Sequence, residues 1–436
     1  MKPINVGLLG IGVVGGGTWD VLSRNAHEIQ RRAGRAIRIA VVADKAVDKA
    51  KEIVGDNAKV TADAFQVVRG NEAEIVVELI GGYTVAKELV LEAIKHGKHV
   101  VTANKALLAT HGNEIFAAAQ KKGVMVAFEA AVAGGVPIIK ALREGLSANR
   151  IEWIAGIING TSNFILSEMR DKGIAFSEAL ADAQKRGYAE ADPTFDIEGV
   201  DAAHKLTILS ALAFGIPMQF ERCFREGIHK LTKADIRYAE ELGYRIKLLG
   251  ITKKTESGIE LRVHPTLVPA RRLIANVEGV MNAILVKGDA VGATLYYGAG
   301  AGAQPTASAV VADLIDVTRL ITADPEQRVP HLAFQPDQLS SETILGMEEV
   351  QTACYLRMRV MDKPGVLADI TRTLADSEIS IEAMVQKEPG EGERIVDIVL
   401  LTNRALERDV NRAIDKIEKL PTVIGAVTRI RLESLL

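Results

Sequence analysis

Cysteine is nearly missing from this chain: its 436 residues hold only Cys223 and Cys354. The two lie far apart with no Cys-x-x-Cys spacing, which argues against a disulfide framework or a zinc site, and both are expected as buried, reduced thiols. An excess of one charge sign is missing as well. The 53 basic and 56 acidic residues leave a formal net charge of -3 spread along the whole length, so no field attracts nucleic acid or an acidic membrane. No apolar run reaches the ~18 residues needed to span a bilayer. Even Val124–Lys140 contains Glu129 and a Gly-Gly-Val-Pro turn. The apolar run after Lys2 is broken by Gly10, Gly12, Gly15, Gly16 and Gly17 and ends in no signal-peptidase-like site, so a cytoplasmic location is expected. The histidines, including His96, His99, His111 and His204, show neither His-x-His nor His-Glu-x-x-His spacing, which disfavours a catalytic zinc. Neither a serine-hydrolase elbow nor a P-loop occurs.

What is present exceeds one core. At roughly 150 residues per domain the length suggests about three, and 48% hydrophobic with 25% charged residues is ordinary for a globular chain. Up to about residue 130, short β-branched runs alternate with amphipathic stretches, the pattern of βαβ units and a parallel sheet. The strands expected are Ile4–Leu9, Ile37–Ala43, Ile75–Leu79, Val100–Thr102 and Val124–Phe128. From 134 to 322 strands such as Arg150–Ile158 and Gly258–Pro265 mix with helices such as Phe176–Arg186 and Val200–Phe214, predicting an α+β domain. Residues 323–350 carry Pro325, Pro330 and Pro336 without sustained periodicity and read as a linker. Beyond it, from 351 to 436, Cys354, Leu356, Met358 and Val360 alternate with Tyr355, Arg357, Arg359 and Met361, as a strand with unequal faces should. A helix from Val366 to Asp376, strands Ile379–Lys387 and Ile395–Thr402 flanking the turn Glu388-Pro389-Gly390-Glu391-Gly392-Glu393, a helix Leu406–Lys419 and a strand Val423–Leu432 follow. That order is the ferredoxin-like βαββαβ unit. The fold class expected is α/β: a Rossmann-type parallel sheet over residues 1–133, then the α+β and ferredoxin-like domains.

Several segments carry chemistry. Gly10-Ile11-Gly12-Val13-Val14-Gly15 follows an apolar strand and precedes a helix expected to begin near Thr18. Glycines there allow a tight turn and close approach of a pyrophosphate to a helix N-terminus, whose unpaired N–H groups favour anions. Asp44 closes the second strand, where a carboxylate would bond an adenine ribose; Lys45 and Lys49 beside it would instead suit a 2′-phosphate, and a solvated loop is the plain alternative. Lys105 stands just past an expected parallel strand, at the edge where open α/β sheets bind ligands, although lysines are usually surface charges. In the helix Val200–Phe214, i,i+4 spacing stacks Asp201 beneath Lys205. A lysine next to a carboxylate on an apolar helix can serve as a proton donor, or the two can be a surface ion pair. Glu190, in Gly187-Tyr188-Ala189-Glu190-Ala191-Asp192-Pro193, offers a carboxylate to an ammonium group. Glu129, alone in the apolar Phe128–Pro137 segment, needs a hard cation or a helix start to satisfy it if buried.

Together these segments resemble the homoserine dehydrogenase family over essentially the whole chain. The carriers are the Gly10–Gly15 fingerprint, Thr102-Ala103-Asn104-Lys105-Ala106-Leu107, Gly156-Ile157-Ile158-Asn159-Gly160-Thr161-Ser162-Asn163, Gly187–Pro193, Asp201-Ala202-Ala203-His204-Lys205 and Gly298-Ala299-Gly300-Ala301-Gly302. The resemblance implies reversible reduction of aspartate semialdehyde to homoserine with NAD or NADP, in threonine, methionine and isoleucine biosynthesis. It assigns proton donation to Lys205 and substrate polarisation at the nicotinamide to Lys105. Glu190, Asp201, Gly160 and Thr161 fall to the substrate, and Gly10, Gly12, Val13, Val14, Gly15, Asp44, Lys105, Gly300 and Gly302 to the cofactor. It further implies a structural, sodium-like cation held by Glu129 with the carbonyls of Val132, Gly134 and Val136. Many NADP-using members carry an arginine at the end of the second strand, where this chain has Ala43 before Asp44, which puts strict NADP preference in doubt.

The C-terminal unit resembles an ACT domain, with Asp362-Lys363-Pro364-Gly365-Val366-Leu367 as its ligand loop; Asp362, Gly365, Val366 and Leu367 are the effector residues implied. Threonine is the effector the family suggests, and a homodimer or homotetramer the assembly. An ACT-bearing hydroxy-acid dehydrogenase is the competing enzyme, but such enzymes place the nucleotide fold inside the chain and use an Arg/Glu/His set. A non-catalytic amino-acid sensor is the competing non-enzyme, against which Lys105, Glu190, Asp201 and Lys205 all weigh.

Overall fold

The computed structural model describes residues 2–387 and 394–435, and the expected turn Glu388–Glu393 lies outside the described residues. Contacts divide the chain into two units. The first comprises Met1–Gly160, Asp201–Cys223 and Val280–Glu342; the second comprises Thr161–Val200, Phe224–Gly279 and Thr343–Leu436.

In the first unit six strands, β1 (Ile4–Leu9), β2 (Ile37–Ala43), β3 (Lys59–Thr61), β4 (Ile75–Glu78), β5 (His99–Thr102) and β6 (Val126–Ala127), lie in the order β3-β2-β1-β4-β5-β6. All neighbours are parallel. Val6, Leu8, Ile75, Val76, Val77, Val100 and Val101 are buried, as continuous apolar runs must be when both faces of a parallel sheet are covered. The chain reverses direction across the sheet between β1 and β4, and open α/β sheets hold ligands outside the strands' carboxyl ends at such a point. The first helix runs Val13–Arg24, not from Thr18 as expected. Gly15, Gly16 and Gly17 have low helix propensity, yet packing overrides it, because a Cβ at Gly17 would sit 2.6 Å from the Ala303 carbonyl oxygen. The helix Ala303–Leu320 packs there and sends Ala307, Val310 and Leu314 into the same apolar core. The strands Ile151–Ile157, Met281–Gly288 and Gly292–Ala299 form an antiparallel set, and every residue of Val200–Phe214 from Asp201 onward is buried.

In the second unit Tyr244–Thr255 and Gly258–Pro269 pair as an in-register hairpin. The strands Gln351–Met361, Ile381–Gln386, Ile395–Thr402 and Val423–Leu432, with the helices Val366–Ala375 and Glu407–Ile417, follow the βαββαβ order. Their pairings are antiparallel. The strand Gln351–Met361 departs from expectation in that most of both faces is buried. The side expected to be the polar one carries Tyr355 and Arg357 onto Asp235, whose carboxylate accepts Arg357 Nε at 2.7 Å and the Tyr355 hydroxyl at 3.2 Å. Residues 323–350 form short 3-10 turns at Pro325–Gln327, Pro336–Gln338 and Met347–Glu349, with Leu332 and Ile344 buried. Among the described residues no helix is long and apolar enough to cross a membrane, and both cysteines are buried free thiols.

Candidate active site

The glycine turn after β1 is shaped by what a side chain would hit. A Cβ at Gly15 would lie 2.1 Å from the Gly10 carbonyl oxygen, and Gly10 itself has φ +91°. At Gly12 an added Cβ meets nothing within 4 Å, so that glycine faces open space, as it must where a ligand's phosphates approach the backbone. The helix beginning at Val13 has no side-chain cap and no acid in its first turn. Its leading N–H groups and positive dipole end are therefore available to an anion. Val13 is 74% exposed beside it, while Val14 packs on the core. Asp44 is built into this turn: its Oδ2 accepts the Ile11 amide at 2.8 Å and its Oδ1 the Ala46 amide at 2.9 Å. Lys45 and Lys49 are exposed. These features fit a dinucleotide.

A second glycine loop adjoins the same helix. A Cβ at Gly300 would fall 2.1 Å from the Asn282 side chain, and Gly302, at φ +116°, leads into Ala303–Leu320. Gly134, at φ +50°, has room for no side chain either, because its Cβ would lie 2.6 Å from the Gly300 carbonyl oxygen. The Gly135 amide donates to Ala299 O at 3.0 Å.

The centre is a lysine pair around one carboxylate. Lys205 Nζ lies 2.7 Å from Asp201 Oδ2 and donates to Ile158 O at 2.8 Å. Lys105 Nζ stands 3.3 Å from Asp201 Oδ1, and Asn159 Nδ2 donates to Oδ2 at 2.9 Å. Burial alone would raise the Asp201 carboxyl's pKa, but the Lys205 and Lys105 ammonium groups beside it hold it well below the usual carboxylate range. The i,i+4 pair thus follows from helical spacing, whereas Lys105 arrives from far earlier in the chain, on the first residue of the helix Lys105–Lys122. Lys205 is 9% exposed and Asp201 5%, so this is no surface ion pair. Such an arrangement presents two fixed cations, one carrying a transferable proton, where negative charge develops on a reacting oxygen.

Glu129 is buried, and its carboxylate caps a helix start: Oε1 accepts the Ile139 amide and Oε2 the Lys140 amide, each at 2.9 Å. A second buried acid, Asp313, accepts the Glu129 amide at 2.8 Å. Burial and then repulsion from Glu129 push its carboxyl up to about 7, and burial raises Glu129 as well. The Lys140 and Arg143 cations pull both carboxyls the other way, but burial outweighs them. The Val136 carbonyl already accepts the Ile138 amide at 2.8 Å, and among the described residues no group of three His, Cys, Asp or Glu side chains could hold a metal.

Gly160 begins the helix Gly160–Lys172, and its Cβ would meet Val280 O at 2.7 Å. Thr161 and Glu190 belong to the second unit. There the Thr161 hydroxyl donates to Tyr188 O at 2.6 Å, which ties it to the loop bearing the exposed Glu190. In the same unit Gly365, at φ +94°, starts the helix Val366–Ala375; Asp362 is exposed, Val366 buried and Leu367 half-buried. Sequence reasoning gave no role to Asn159, the Ile158 carbonyl, Asp313 or Glu78. Only the acids left a signal, as charged residues within largely apolar stretches.

Residues 137–315 match the family described as homoserine dehydrogenase, residues 10–129 its NAD binding domain and residues 355–421 the ACT domain. A homoserine dehydrogenase of Pseudomonas aeruginosa is 62% identical over 100% of both chains. The crystal structure of a homoserine dehydrogenase from Thiobacillus denitrificans superposes with a TM-score of 0.96 at 71% identity, covering 100% of this chain and 99% of that one. A hyperthermophilic archaeal homoserine dehydrogenase solved in complex with NADPH matches with a TM-score of 0.63 at 26% identity over 73% of this chain and 98% of its own.

Proposed function

This chain belongs to the homoserine dehydrogenase family, an oxidoreductase with a nicotinamide-binding sheet and a C-terminal ACT domain, and we propose that Lys205 is its proton donor and Lys105 its polarising cation. The observation that carries this is the single Asp201 carboxylate shared by both amino groups. A nicotinamide cofactor held at the Gly10–Gly15 turn would supply the hydride for the aldehyde carbon of aspartate semialdehyde, or accept it from homoserine. Lys205 Nζ gives its proton to the aldehyde oxygen as that oxygen becomes the homoserine hydroxyl, and in reverse it recovers the proton. Lys105 stabilises the same developing charge, and a preorganised cation does this without reorganising. Asp201 and Glu190 engage the substrate's ammonium group, with Gly160 and Thr161 lining the amino acid.

Gly10, Gly12, Val13, Val14 and Gly15 hold the pyrophosphate, Asp44 meets the adenine ribose, and Gly300 and Gly302 close on the cofactor. Domains run 1–133, 134–322 and 351–436, with 323–350 as linker. Glu129, with the carbonyls of Val132, Gly134 and Val136, holds a sodium-like cation of structural role; sodium replacing choline at constant ionic strength should then raise the thermal midpoint. Asp362, Gly365, Val366 and Leu367 take an amino-acid effector, threonine, as a product downstream of homoserine in the biosynthesis of threonine. The enzyme is cytoplasmic and assembles as a homodimer or homotetramer.

The experiment is homoserine-dependent reduction of NADP⁺ and, separately, NAD⁺, with Lys205→Ala and added threonine alongside. Loss of the acid should lower turnover on the order of 10²–10⁴-fold. A folded Lys205→Ala protein at near-normal rate refutes the assignment, and indifference to threonine removes it as effector.

A further inference from the structure

Lys105 is only as well placed as the turn before it, and that turn is held from behind by a buried acid. Glu78 ends β4 with no exposure to solvent. Its Oε2 accepts the Thr102 hydroxyl at 2.7 Å, and its Oε1 accepts the amides of Ile80 at 3.0 Å and Gly81 at 3.2 Å. The relay continues forward. Thr102 Oγ1 accepts the Asn104 amide at 3.0 Å; Asn104 Oδ1 accepts the Leu107 amide at 3.0 Å and so caps the helix that Lys105 opens. Asn104 Nδ2 donates to Gly82 O at 2.5 Å, closing the ring of bonds onto the turn after β4.

One carboxylate therefore joins the turns at the carboxyl ends of β4 and β5, two adjacent parallel strands. Burying a carboxylate is costly, and here donors converge on it: the Thr102 hydroxyl, the Ile80 and Gly81 amides and the Asn104 side chain. An apolar side chain would leave the Thr102 hydroxyl and two amides unmatched. The glycines Gly81 and Gly82, at φ +74° and +69°, let the first turn fold back over the acid.

We propose that Glu78 is a positioning residue for the reaction: through Thr102 and Asn104 it fixes where the Lys105 amino group stands relative to Asp201. The proposal rests on the role given to Lys105 above. Displacing such a group by ~1 Å costs on the order of 10²-fold in rate.

The test is Glu78→Gln, which keeps the volume but turns a donor toward converging donors. Homoserine kcat/KM should fall roughly 30- to 100-fold, whereas in a Lys105→Ala background the same change should cost less than about threefold, since both act on one group. Equal losses in the two backgrounds, or a wild-type rate in Glu78→Gln, overturn the proposal. If Glu78→Gln does not fold, Thr102→Val and Thr102→Ser decide: the first should lose at least about tenfold, and the second, which keeps the hydroxyl, should stay within about threefold. Equal rates for the two overturn it.

A readout without turnover is the labelling rate of Lys105 by an amine-reactive ester in cofactor-free protein, followed by peptide mass spectrometry. It should change at least about threefold in Thr102→Val, and an unchanged rate overturns the proposal. Wild-type protein without homoserine-dependent reduction of either nucleotide would remove the functional reading instead, and the labelling arm would then judge the Glu78–Thr102 relay's hold on Lys105 by itself.

Discussion

Asp201→Asn keeps the shape of the central side chain and removes its charge. The amide has one acceptor atom where the carboxylate has two. If that oxygen serves Lys205 Nζ and Asn159 Nδ2, which now bond Oδ2 at 2.7 and 2.9 Å, the NH₂ group is turned toward Lys105. Coulomb attraction for one unit pair at 4 Å is about 4 kcal/mol at an effective dielectric of 20. Lys105, with 35% of its side chain exposed, recovers much of its share from water, whereas Lys205, with 11%, does not. Removing one partner of a buried pair typically costs about 3–5 kcal/mol, and the lower end fits a lysine that keeps Ile158 O as acceptor. The thermal midpoint should fall by roughly 5–10 °C.

Turnover should fall about 10²–10³-fold as the polarising cation loses its anchor. The pH dependence has a definite sign. Asp201's folded pKa lies below its unfolded value, so its stabilisation is complete above the unfolded pKa of ~3.9 and is lost as pH falls below it. The stability gap between wild type and Asp201→Asn must therefore narrow between pH 7 and pH 3. Scanning calorimetry across that range with steady-state rates at pH 7 measures both effects. A variant with the wild-type midpoint and turnover, or a gap that widens in acid, refutes the reasoning.

Gly12→Ala should leave the thermal midpoint of cofactor-free protein unchanged, because its Cβ meets nothing, yet weaken nucleotide binding at least about tenfold by calorimetry; Gly15→Ala, forced against Gly10 O, should lose stability and binding together. For Asp313, a folded pKa of about 7 lies above the unfolded value, so stability should fall as pH rises from about 4 to about 7, on the order of 4 kcal/mol. Asp313→Asn should flatten that slope, and urea midpoints at pH 5 and pH 8 check it. Arg357→Leu leaves the Asp235 carboxylate buried without its 2.7 Å partner and should cost about 3–5 kcal/mol. The double variant Asp235→Leu with Arg357→Met should recover most of that in urea titrations.

Local chemistry made much of this legible from sequence. The spans Ile4–Leu9, Ile37–Ala43, Val200–Phe214, Ile395–Thr402 and Val423–Leu432 stand as the residue pattern predicts, because apolar periodicity and the glycines that bound it are properties of neighbours in the chain. The Asp201–Lys205 contact was equally local, since 3.6 residues per turn put i and i+4 on one face. The first helix starts earlier than the sequence predicts because three glycines argue against a helix locally, while the close passage of Ala303 past Gly17 is a fact about a segment far along the chain.

Tertiary structure alone decided the rest. It brought Lys105 and Asn159 to the Asp201 carboxylate, gave Glu129 the amides of Ile139 and Lys140 for partners, buried Tyr355 and Arg357 on Asp235 and set Glu78 behind the turn that carries Lys105. Each of these pairs a charge or an amide with a group whose position depends on strand order and helix packing. A sequence names the groups that must find partners once buried; only the folded path of the chain determines which partner each one meets.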